Sequence, residues 1–452
     1  MRASEPPVPG AMELPEYEIR DPRYYTLPKA ALRALQAERL RTQVRYVYAT
    51  TPFWRRKFDA AGLTPDDIRG LEDLERIPFC TKAELQEDQA AHPPFGSYTA
   101  SPRHRWARFM TTSGTTGRPL RRVFSARDWR YAIERFLRQP STLRPGDMVV
   151  ILGPVDGLMG PTAGMEAAMA QGALVVCAGL YDSRTKLQLI QELRPAAVSG
   201  TASYLLYLAE VACAEGIDLP ALGIRQVGSV GEPGAAVPET RARIQAAWGV
   251  EHVHDGYGLT ELFPLGGNCR QSTSLHLPDD LVLTEVIDPA TGRRLPPGER
   301  GELVFTNLIG DTQPLLRYRS GDIGRLAPDE PCACGCTWTR IEGGIEGRVD
   351  DMIWYRGVNV FPSAVEAVVR RYAELGGEFQ LVVGQQGALP TLTVRAELAA
   401  GQPLELAERL QPRLQEALRA ALRVQPAVEL VPHGTLPRTA GKARRVVDQR
   451  QR

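Results

Sequence analysis

The sequence predicts an α/β fold, with a large N-terminal domain of helix-covered parallel sheets and a small α+β domain at the C-terminus. Between residues 148 and 230, short apolar segments of strand type alternate with helical patterns, which is typical of a parallel sheet. From about residue 281, strands separated by Gly and Pro turns indicate a small β-barrel-like subdomain. A length of 452 residues allows two or three domains. We place the boundary so that the domains are 1–346 and 347–452.

The individual elements follow from local patterns. Residues 1–25 are rich in Pro and acidic side chains and predict either a strap or a partly disordered segment. Residues 27–49 predict an amphipathic helix. Apolar segments predict parallel strands at 148–152, 173–176, 197–200 and 226–230. Turn-bounded segments predict antiparallel strands at 281–288, 301–305 and 314–318. The last unit predicts helix 363–372, strands 379–383 and 392–397, and helix 404–422.

Composition excludes several classes of protein. A formal net charge of +1 gives no general attraction for nucleic acid or an anionic membrane. The longest apolar region, 148–180, is interrupted by Asp156, Glu166 and several Gly and Pro, so it predicts no membrane span. Residues 1–12 do not have the pattern of a signal peptide. Seven cysteines, three of them in one cluster, argue against a disulfide framework, and we expect a cytoplasmic protein.

A Ser/Thr/Gly loop is the most informative stretch of the sequence. It consists of Thr112, Ser113, Gly114, Thr115, Thr116, Gly117 and Arg118. Hydroxyls, backbone N–H groups and a guanidinium in one loop are suited to binding a polyphosphate. The Walker pattern does not fit, because Pro119 stands where its second glycine would be. Taken alone, the stretch could equally be a flexible surface loop.

Two further turns stand at predicted carboxyl ends of strands, where ligands collect in parallel sheets. The first consists of Gly231, Glu232 and Pro233. The second consists of Asp255, Gly256, Tyr257 and Gly258, and it is followed by Thr260 and Glu261. Each acidic residue alone could be a solvated surface charge.

Five motifs in order resemble the adenylate-forming, or acyl-CoA synthetase, superfamily, in the branch of phenylacetate–CoA ligase and other aryl-acid ligases. They read TSGTTG at 112–117, GYGLTE at 256–261, RYRSGD at 317–322, GRVDDM at 347–352 with RGVNVFP at 356–362, and PRTAGK at 437–442. The resemblance covers about residues 27–447. It implies an enzyme that uses ATP to convert an aryl or arylacetic acid to acyl-AMP, releases pyrophosphate, and passes the acyl group to the thiol of CoA.

The resemblance implies roles for the residues of the nucleotide site. The loop 112–118 would hold the β- and γ-phosphates, with Arg118 at a position where the family usually has Lys. Thr260 would contact the α-phosphate and Glu261 would hold Mg²⁺. The turns at 231–233 and 255–258 would enclose the adenine, with Tyr257 against it. Asp322 and Arg348 would bind the ribose hydroxyls.

The resemblance also implies a catalytic lysine on a mobile C-terminal domain. Lys442 would approach the substrate carboxylate and the α-phosphate, where it would offset charge in the adenylation transition state. Because Lys442 lies in a basic tail, a solvated charge run is the alternative. The small domain would close for adenylation and then rotate for thiol attack, with Asp350 as the hinge.

A cysteine cluster predicts a metal site. Some members of this branch hold a structural zinc with a similar Cys…His and Cys-x-Cys set, which here corresponds to Cys269, His276, Cys332 and Cys334. Cys336 could replace one of these ligands. A group of reduced thiols without metal is the alternative.

The substrate pocket is implied at Asp156, Gly157, Leu158, Tyr204 and Tyr257. Phenylacetate-type members tend to have an aromatic residue at or beside Asp156. An acidic residue at this position favours an amino- or hydroxy-substituted acid, because a buried carboxylate requires a partner.

Two other functions remain open on the sequence. The acyl acceptor could be the phosphopantetheine of a carrier protein, or an amine, instead of CoA. The chain could also be a degenerate nucleotide-binding scaffold, although Glu261, Asp322, Arg348 and Lys442 all being present favours an enzyme. The family further implies a homodimer, and neither nucleic acid nor membrane is expected as a partner.

Overall fold

The computed structural model describes residues 12–112, 119–138, 143–155, 157–356, 358–386, 389–438 and 443–450, except for the side chains of Pro264, Gln386 and Leu389. The α-helices are α1 (Lys29–Thr50), α2 (Pro52–Ala60), α3 (Lys82–Ala91), α4 (Ala126–Leu137), α5 (Met159–Ala170), α6 (Ser183–Leu193), α7 (Ala202–Ala214), α8 (Pro238–Trp248), α9 (Pro362–Val369) and α10 (Leu406–Leu422).

The strands of the N-terminal region are β1 (Trp106–Thr111), β2 (Arg121–Ser125), β3 (Met148–Ile151), β4 (Leu174–Cys177), β5 (Ala197–Gly200), β6 (Gln226–Val230), β7 (Val253–Gly258), β8 (Pro264–Cys269), β9 (Ser272–His276), β10 (Val282–Ile287), β11 (Gly301–Asn307), β12 (Tyr318–Gly324), β13 (Arg340–Ile341) and β14 (Gly347–Arg348). The last strands are β15 (Ile353–Tyr355), β16 (Val358–Val360), β17 (Leu375–Gln386), β18 (Leu389–Leu398), β19 (Ala427–Val431) and β20 (Val446–Asp448).

The main sheet has eight strands in the order β13-β9-β8-β7-β6-β5-β3-β4. Strands β7, β6, β5, β3 and β4 are parallel, which confirms the predicted parallel sheet, and the remaining pairs are antiparallel. Helices α6, α7 and α8 contribute to an apolar core against these strands, with Leu205, Ile244 and Trp248 fully buried. The carboxyl ends of β6 and β7 meet side by side, and the first predicted turn, 231–233, follows β6 at this edge of the sheet. The second predicted turn is wrong, because residues 255–258 are the last four residues of β7, where they pair with β6 and β8.

The predicted barrel-like subdomain corresponds to a four-stranded antiparallel sheet in the order β10-β11-β12-β14, whose edge strands do not pair with each other. The strand predicted at 314–318 begins only at Tyr318. The preceding residues are irregular because Arg317 has a φ of +41°. Their backbone donates to side chains instead of to a strand, with Leu315 N bound to Asn307 Oδ1 and Arg317 N to Thr306 Oγ1, both at 2.9 Å.

The C-terminal region has its own sheet, in the order β19-β18-β17-β20, together with the β15–β16 hairpin. Its apolar core is formed by residues between Ile353 and Val446, including Leu410, Leu414 and Leu418 of α10. The helix predicted over 363–372 ends at Val369, and beyond its end the carbonyl groups of Arg370 and Tyr372 accept hydrogen bonds from the Arg243 side chain.

The N-terminal strap packs against the large domain, and Leu14 and Ile19 are buried in its core. Residues 1–11 of the predicted strap lie outside the described residues. In the part of the chain that the structure describes, none of the helices combines the length and apolar character that crossing a membrane requires.

Candidate active site

The centre of the candidate site is a buried carboxylate, Asp322, held between a phenol and a guanidinium. Tyr257 Oη donates a hydrogen bond to Asp322 Oδ2 at 2.6 Å, and Arg348 Nη1 donates to Oδ1 at 2.6 Å. Asp322 on β12 lies opposite Arg348 on β14, whereas Tyr257 comes from β7 of the main sheet. The side chains assigned to the adenine and ribose therefore meet at the junction of two sheets.

Local backbone geometry and burial hold this group in place. Gly321 has a φ of +75°, and a Cβ at this position would lie 3.1 Å from Arg348 Nη2, so both the backbone and the space favour glycine. Burial, followed by the charge of Asp322, raises the pKa of Tyr257 well above its usual value, so the phenol remains a donor. Burial alone would lower the pKa of Arg348, but Asp322 and Asp350 raise it, and the guanidinium stays charged.

A second buried carboxylate, Glu261, lies immediately after the half-buried Thr260. The Lys82 ammonium is 3.3 Å from Glu261 Oε1. Burial, followed by the negative charge of Glu261, raises the pKa of Tyr318 well above its usual value. A carboxylate in this setting can bind a hard cation such as Mg²⁺ while Lys82 provides a fixed positive charge beside it.

Asp255 and Gly256 lie within β7 and pair with the neighbouring strand β6. Gly256 lies against β6 so closely that a Cβ would come within 2.9 Å of Val230 Cγ1. Asp255 is buried, with Arg241 Nη2 4.0 Å from its Oδ2. Burial raises the pKa of Asp255 to about 7, and Arg241 opposes this shift. Near neutral pH the carboxyl can therefore be either a donor or an acceptor.

Glu232 joins the large domain to the C-terminal segment. It follows Gly231, which has a φ of +94°, and precedes Pro233, the first residue of a short 3₁₀ helix. Its Oε1 accepts hydrogen bonds from the backbone N–H and the hydroxyl of Ser203, and its Oε2 accepts from Ala443 N at 3.1 Å. Lys442 lies outside the described residues, but its neighbour Ala443 reaches this wall of the site.

Hydrogen bonds join the two residues that flank the predicted phosphate loop. Thr112 N donates to Leu120 O at 3.1 Å, and Leu120 N donates to Thr112 Oγ1 at 3.0 Å. The neighbouring Thr111 N contacts Gly157 O at 3.4 Å, so these flanking residues lie beside the loop assigned to the acid pocket. Ser113, Gly114, Thr115, Thr116, Gly117 and Arg118 lie outside the described residues, and so does Asp156.

The residues assigned to the substrate pocket are only partly brought together. Leu158 precedes α5 and, with Gly157, lies near the residues that flank the phosphate loop. Tyr204 is buried in the core of the main sheet, where its hydroxyl accepts from Lys186 Nζ at 3.1 Å and contacts Ser183 Oγ at 3.0 Å. The hydroxyl of Tyr204 thus faces α6, whereas Tyr257 faces Asp322.

The segment around the predicted hinge is held by ion pairs. Arg348 Nη2 lies 3.4 Å from Asp350 Oδ2, and the Asp350 side chain is half exposed. Just before it, Glu346 pairs with Arg300 and Arg325, each at 2.8 Å. The chain is therefore well anchored up to Arg348 and more exposed at Asp350.

The four predicted zinc ligands converge. The ligand atoms of Cys269, His276, Cys332 and Cys334 all lie within 4.8 Å of one another. Cys269 Sγ is 3.8 Å from Cys332 Sγ, and Cys334 Sγ is 3.7 Å from His276 Nε2. Three sulfurs and one imidazole fit a closed tetrahedral zinc site. Cys336 is buried nearby but is not part of this group.

Two of these ligand side chains have shifted pKa values because they are buried. Burial lowers the pKa of His276 to about 4, which keeps its imidazole neutral and able to ligate a metal. Burial raises the pKa of Cys269 to about 12, and the adjacent thiols contribute to this shift. A bound cation would reverse the shift at Cys269, because a coordinated thiol is deprotonated.

Three residues of the site were not found by sequence analysis: Lys82, Ser203 and Arg241. Lys82 is the first residue of α3, which the segment 80–82 brings to Glu261. Cys80 N donates to Arg317 O at 3.0 Å and Arg319 N donates to Cys80 O at 2.8 Å, so this segment is joined to β12. Its only sequence signal is a Thr81–Glu84 capping box, which predicts a helix start and not a site.

Comparison with known proteins identifies the class. The AMP-binding enzyme family matches residues 31–308, and the AMP-binding enzyme C-terminal domain matches residues 357–450. The chain therefore belongs to the AMP-binding, adenylate-forming enzymes. It is a ligase of the type that uses ATP to activate an acid for transfer to a thiol.

Individual relatives refine this class. The chain is 37% identical to a phenylacetate–coenzyme A ligase of Thermus thermophilus, over 95% of this chain and 99% of that protein. It superposes on 2-hydroxyisobutyryl-CoA ligase in the postadenylation state with R3-HIB-AMP at a TM-score of 0.89 and 33% identity, covering 97% of this chain and 94% of that one. The same ligase with 2-HIB-AMP and CoA in the thioesterification state gives a TM-score of 0.71 at 34% identity, with the same coverage. The arrangement of this chain is therefore more similar to that of the postadenylation structure than to that of the thioesterification structure.

Proposed function

We propose that this chain converts an aryl or arylacetic acid to acyl-AMP and then to its CoA thioester. The observation that carries the proposal is the Tyr257–Asp322–Arg348 group beside buried Glu261. It offers a sugar-binding carboxylate and a cation-binding carboxylate at one edge of the sheet, as adenylation requires. The similarity to phenylacetate–coenzyme A ligases supports the class of acid.

In the first half-reaction, the nucleotide would be oriented by carboxylates. An ionised carboxylate has about four acceptor positions, so Asp322 can bind ribose hydroxyls while it keeps Tyr257 and Arg348. Asp255 would accept a hydrogen bond from the exocyclic amine of adenine. The loop 112–118 and Thr260 would bind the phosphates, and Lys442 would contact the reacting carboxylate and the α-phosphate.

Two metals belong to this proposal. Mg²⁺ would be held by Glu261, where it would supply positive charge to the phosphates of ATP. Zn²⁺ would be held by Cys269, His276, Cys332 and Cys334 in a structural role. Support comes from the convergence of the four ligand atoms within 4.8 Å of one another.

We also propose the domain boundary that the sequence suggested, with 1–346 as the adenylation domain and 347–452 as the domain that carries Lys442. Asp350 would be the hinge. Support comes from the separate apolar core that begins at Ile353 and from the exposure of Asp350 just after the anchored Arg348. Thiols grouped for metal binding support a reducing, cytoplasmic location. The homodimer is also a proposal, which light scattering can test.

Acid-dependent exchange of labelled pyrophosphate into ATP tests the proposed function. We expect exchange with at least one benzoate or phenylacetate derivative, followed by thioester formation when CoA is added. A holo carrier protein and simple amines serve as competing acceptors, and faster transfer to either would replace CoA in the proposal. The absence of exchange with every acid, in a folded protein that binds ATP, would support a scaffold.

A second candidate substrate class is a small hydroxy acid, which is favoured by the close match to 2-hydroxyisobutyryl-CoA ligase. The carboxylate of Asp156 could bind a hydroxyl or amino group of the acid, and a substrate without that group would leave the carboxylate unpaired. Asp156→Ala should therefore reduce the preference for substituted over unsubstituted acids by about tenfold. If the ranking of substituted and unsubstituted acids is the same in the variant and the wild type, Asp156 does not contact the substrate.

A further inference from the structure

One contact between the small domain and the large one is made by residues 370–377, which follow α9 and include the first residues of β17, and which we call the docking turn. It packs between α7 and α8 of the large domain, and its polar backbone groups are bound by side chains of those two helices. Helix ends and turns leave carbonyl groups without intrahelical partners, and these groups need donors when they are buried. The docking turn receives them from another domain.

Arg243 on α8 supplies the donors. Its Nε donates to Arg370 O at 2.9 Å, its Nη2 to Tyr372 O at 2.6 Å and its Nη1 to Leu375 O at 3.2 Å. All three nitrogens of one guanidinium thus bind carbonyls of the small domain. Burial, followed by the nearby Arg370, lowers the pKa of Arg243, and Glu210 opposes this shift. The cation is therefore partly desolvated, and losing its hydrogen bonds to the carbonyl groups would cost free energy that water does not fully restore.

Glu210 on α7 binds the other end of the docking turn. Its Oε1 accepts from Gly377 N at 2.9 Å. A Cβ at Gly377 would lie 3.0 Å from the same oxygen, so the approach depends on glycine. A cation binds carbonyls and a carboxylate binds an N–H, which makes the contact complementary in charge as well as in shape.

This contact exists in the arrangement that resembles the postadenylation state. The backbone next to Lys442 reaches Glu232 in the same arrangement, through Ala443 N. Rotation of the small domain would remove the docking turn from Arg243, since the guanidinium belongs to the large domain and its three acceptors to the small one. A contact made in one arrangement only shifts the population of domain arrangements toward it.

We propose that Arg243 is a positioning residue for adenylation: it holds the docking turn and so favours the arrangement in which Lys442 reaches the site. It takes no part in thiol transfer. The proposal rests on the proposed function of Lys442 and on rotation of the small domain, and it adds the residue that selects one of the two arrangements.

The test compares the two half-reactions in Arg243→Ala. We expect acid-dependent pyrophosphate exchange to fall at least about tenfold, while thioester formation from supplied acyl-adenylate stays within about twofold of wild type or increases. Arg243→Lys should resemble the Ala variant, because one ammonium cannot reproduce three hydrogen bonds in a plane. Gly377→Ala, which displaces Glu210, should show the same difference between half-reactions if Arg243→Ala does not fold.

Arg371→Ala is the matched control. Arg371 belongs to the docking turn and pairs with Glu239 of α8 at 2.9 Å, but its side chain is 61% exposed, so the pair should contribute little. Both half-reactions should stay within about twofold in this variant. Equal losses of both half-reactions in Arg243→Ala, or unchanged exchange, would overturn the proposal.

Small-angle X-ray scattering with ATP separates this proposal from the proposed function. Arg243→Ala should shift the scattering profile of the ATP-bound protein away from that of the wild type and of Arg371→Ala, whichever acid the enzyme uses. A shifted profile without exchange for any acid would contradict the proposed function and leave Arg243 as the docking residue. Normal wild-type exchange with identical profiles would contradict the role of Arg243.

Discussion

The contribution of the Lys82 positive charge to adenylation can be tested by a single substitution. It is 3.3 Å from Glu261, the carboxylate proposed to hold Mg²⁺, and it would offset phosphate charge at the same edge of the sheet. Removing a preorganised charge of this kind costs roughly 3 kcal/mol, so we expect Lys82→Ala to lower pyrophosphate exchange by about 100-fold.

Lys57→Ala is the control for Lys82. Lys57 on α2 forms an ion pair with Glu84 of α3, the helix that begins with Lys82, whereas Glu261 pairs with Lys82. Its loss should change exchange by no more than about twofold. Similar losses in both variants would mean that Lys82 acts only through the stability of α3.

Asp255 gives a pH dependence with a definite sign. Burial raises its pKa to about 7 in the folded chain, whereas an aspartate in an unfolded chain titrates near 3.9. The folded state therefore binds the proton more tightly. The contribution of the protonated Asp255 carboxyl to the free energy of unfolding is fully present below about pH 4, and it is lost as the pH rises through 7.

Asp255→Asn removes this proton linkage. The difference in the free energy of unfolding between Asp255→Asn and wild type should shift in favour of the variant by about 2–3 kcal/mol from pH 5 to pH 8. Denaturant unfolding at both pH values checks this. Asp288→Asn, at an exposed turn, is the control, and its difference from wild type should be the same at both pH values. Parallel pH profiles for wild type and Asp255→Asn would show that the carboxyl is ionised throughout.

At the scale of elements, the cysteine cluster ties the N-terminal strap to the loop after β12. Tyr25 Oη contacts Cys334 Sγ at 3.2 Å, Thr337 N donates to Tyr25 O at 3.1 Å, and Trp338 Nε1 donates to Tyr24 O at 2.7 Å. These contacts do not involve Asp322, Tyr257 or Glu261. A metal at the cluster should therefore affect stability before chemistry.

We expect about one Zn²⁺ per chain in protein purified without chelator, as four converging N/S ligands predict. Chelation should lower Tm before it lowers pyrophosphate exchange, and Cys334→Ser should do the same. Cys213→Ser, at an exposed thiol outside the cluster, should change neither. Elemental analysis that finds less than about a tenth of an equivalent would exclude the zinc site.

At the scale of the whole molecule, the proposed function requires the C-terminal domain to present one face for adenylation and another face for thioester formation. If Lys442 faces the site only during adenylation, Lys442→Ala should abolish acid-dependent pyrophosphate exchange, a loss on the order of hundreds-fold. It should still convert supplied acyl-adenylate to thioester at nearly the wild-type rate. Equal loss of both half-reactions, with the fold intact, would argue against alternation.

Asp350→Pro is the converse test of the hinge. Proline restricts φ, so adenylation in the present arrangement should survive and thioester formation should fall by about tenfold or more. Asp351→Asn, at the next residue, keeps backbone freedom and is the matched control. Normal thioester formation in Asp350→Pro would place the hinge elsewhere.

The sequence by itself predicted the order of elements and the parallel character of the sheet, and its motifs, through their resemblance to a known family, suggested the residues proposed for the nucleotide site. Strand and helix periodicity is local, and motifs such as residues 256–261 carry turn residues and functional side chains within a few positions. The roles proposed for Asp322, Tyr257 and Glu261, like those of the four metal ligands, came from the resemblance of these motifs to a known family and remain predictions.

Only the tertiary structure decided which distant residues complete these motifs. Lys82 reaches Glu261 because Cys80 bonds to the backbone on both sides of Tyr318, and no local pattern encodes that contact. Arg243 binds three carbonyls of a segment that follows it by more than a hundred positions. Propensity and periodicity act over a few residues, whereas desolvated charges are satisfied by whatever partner the packed chain brings to them.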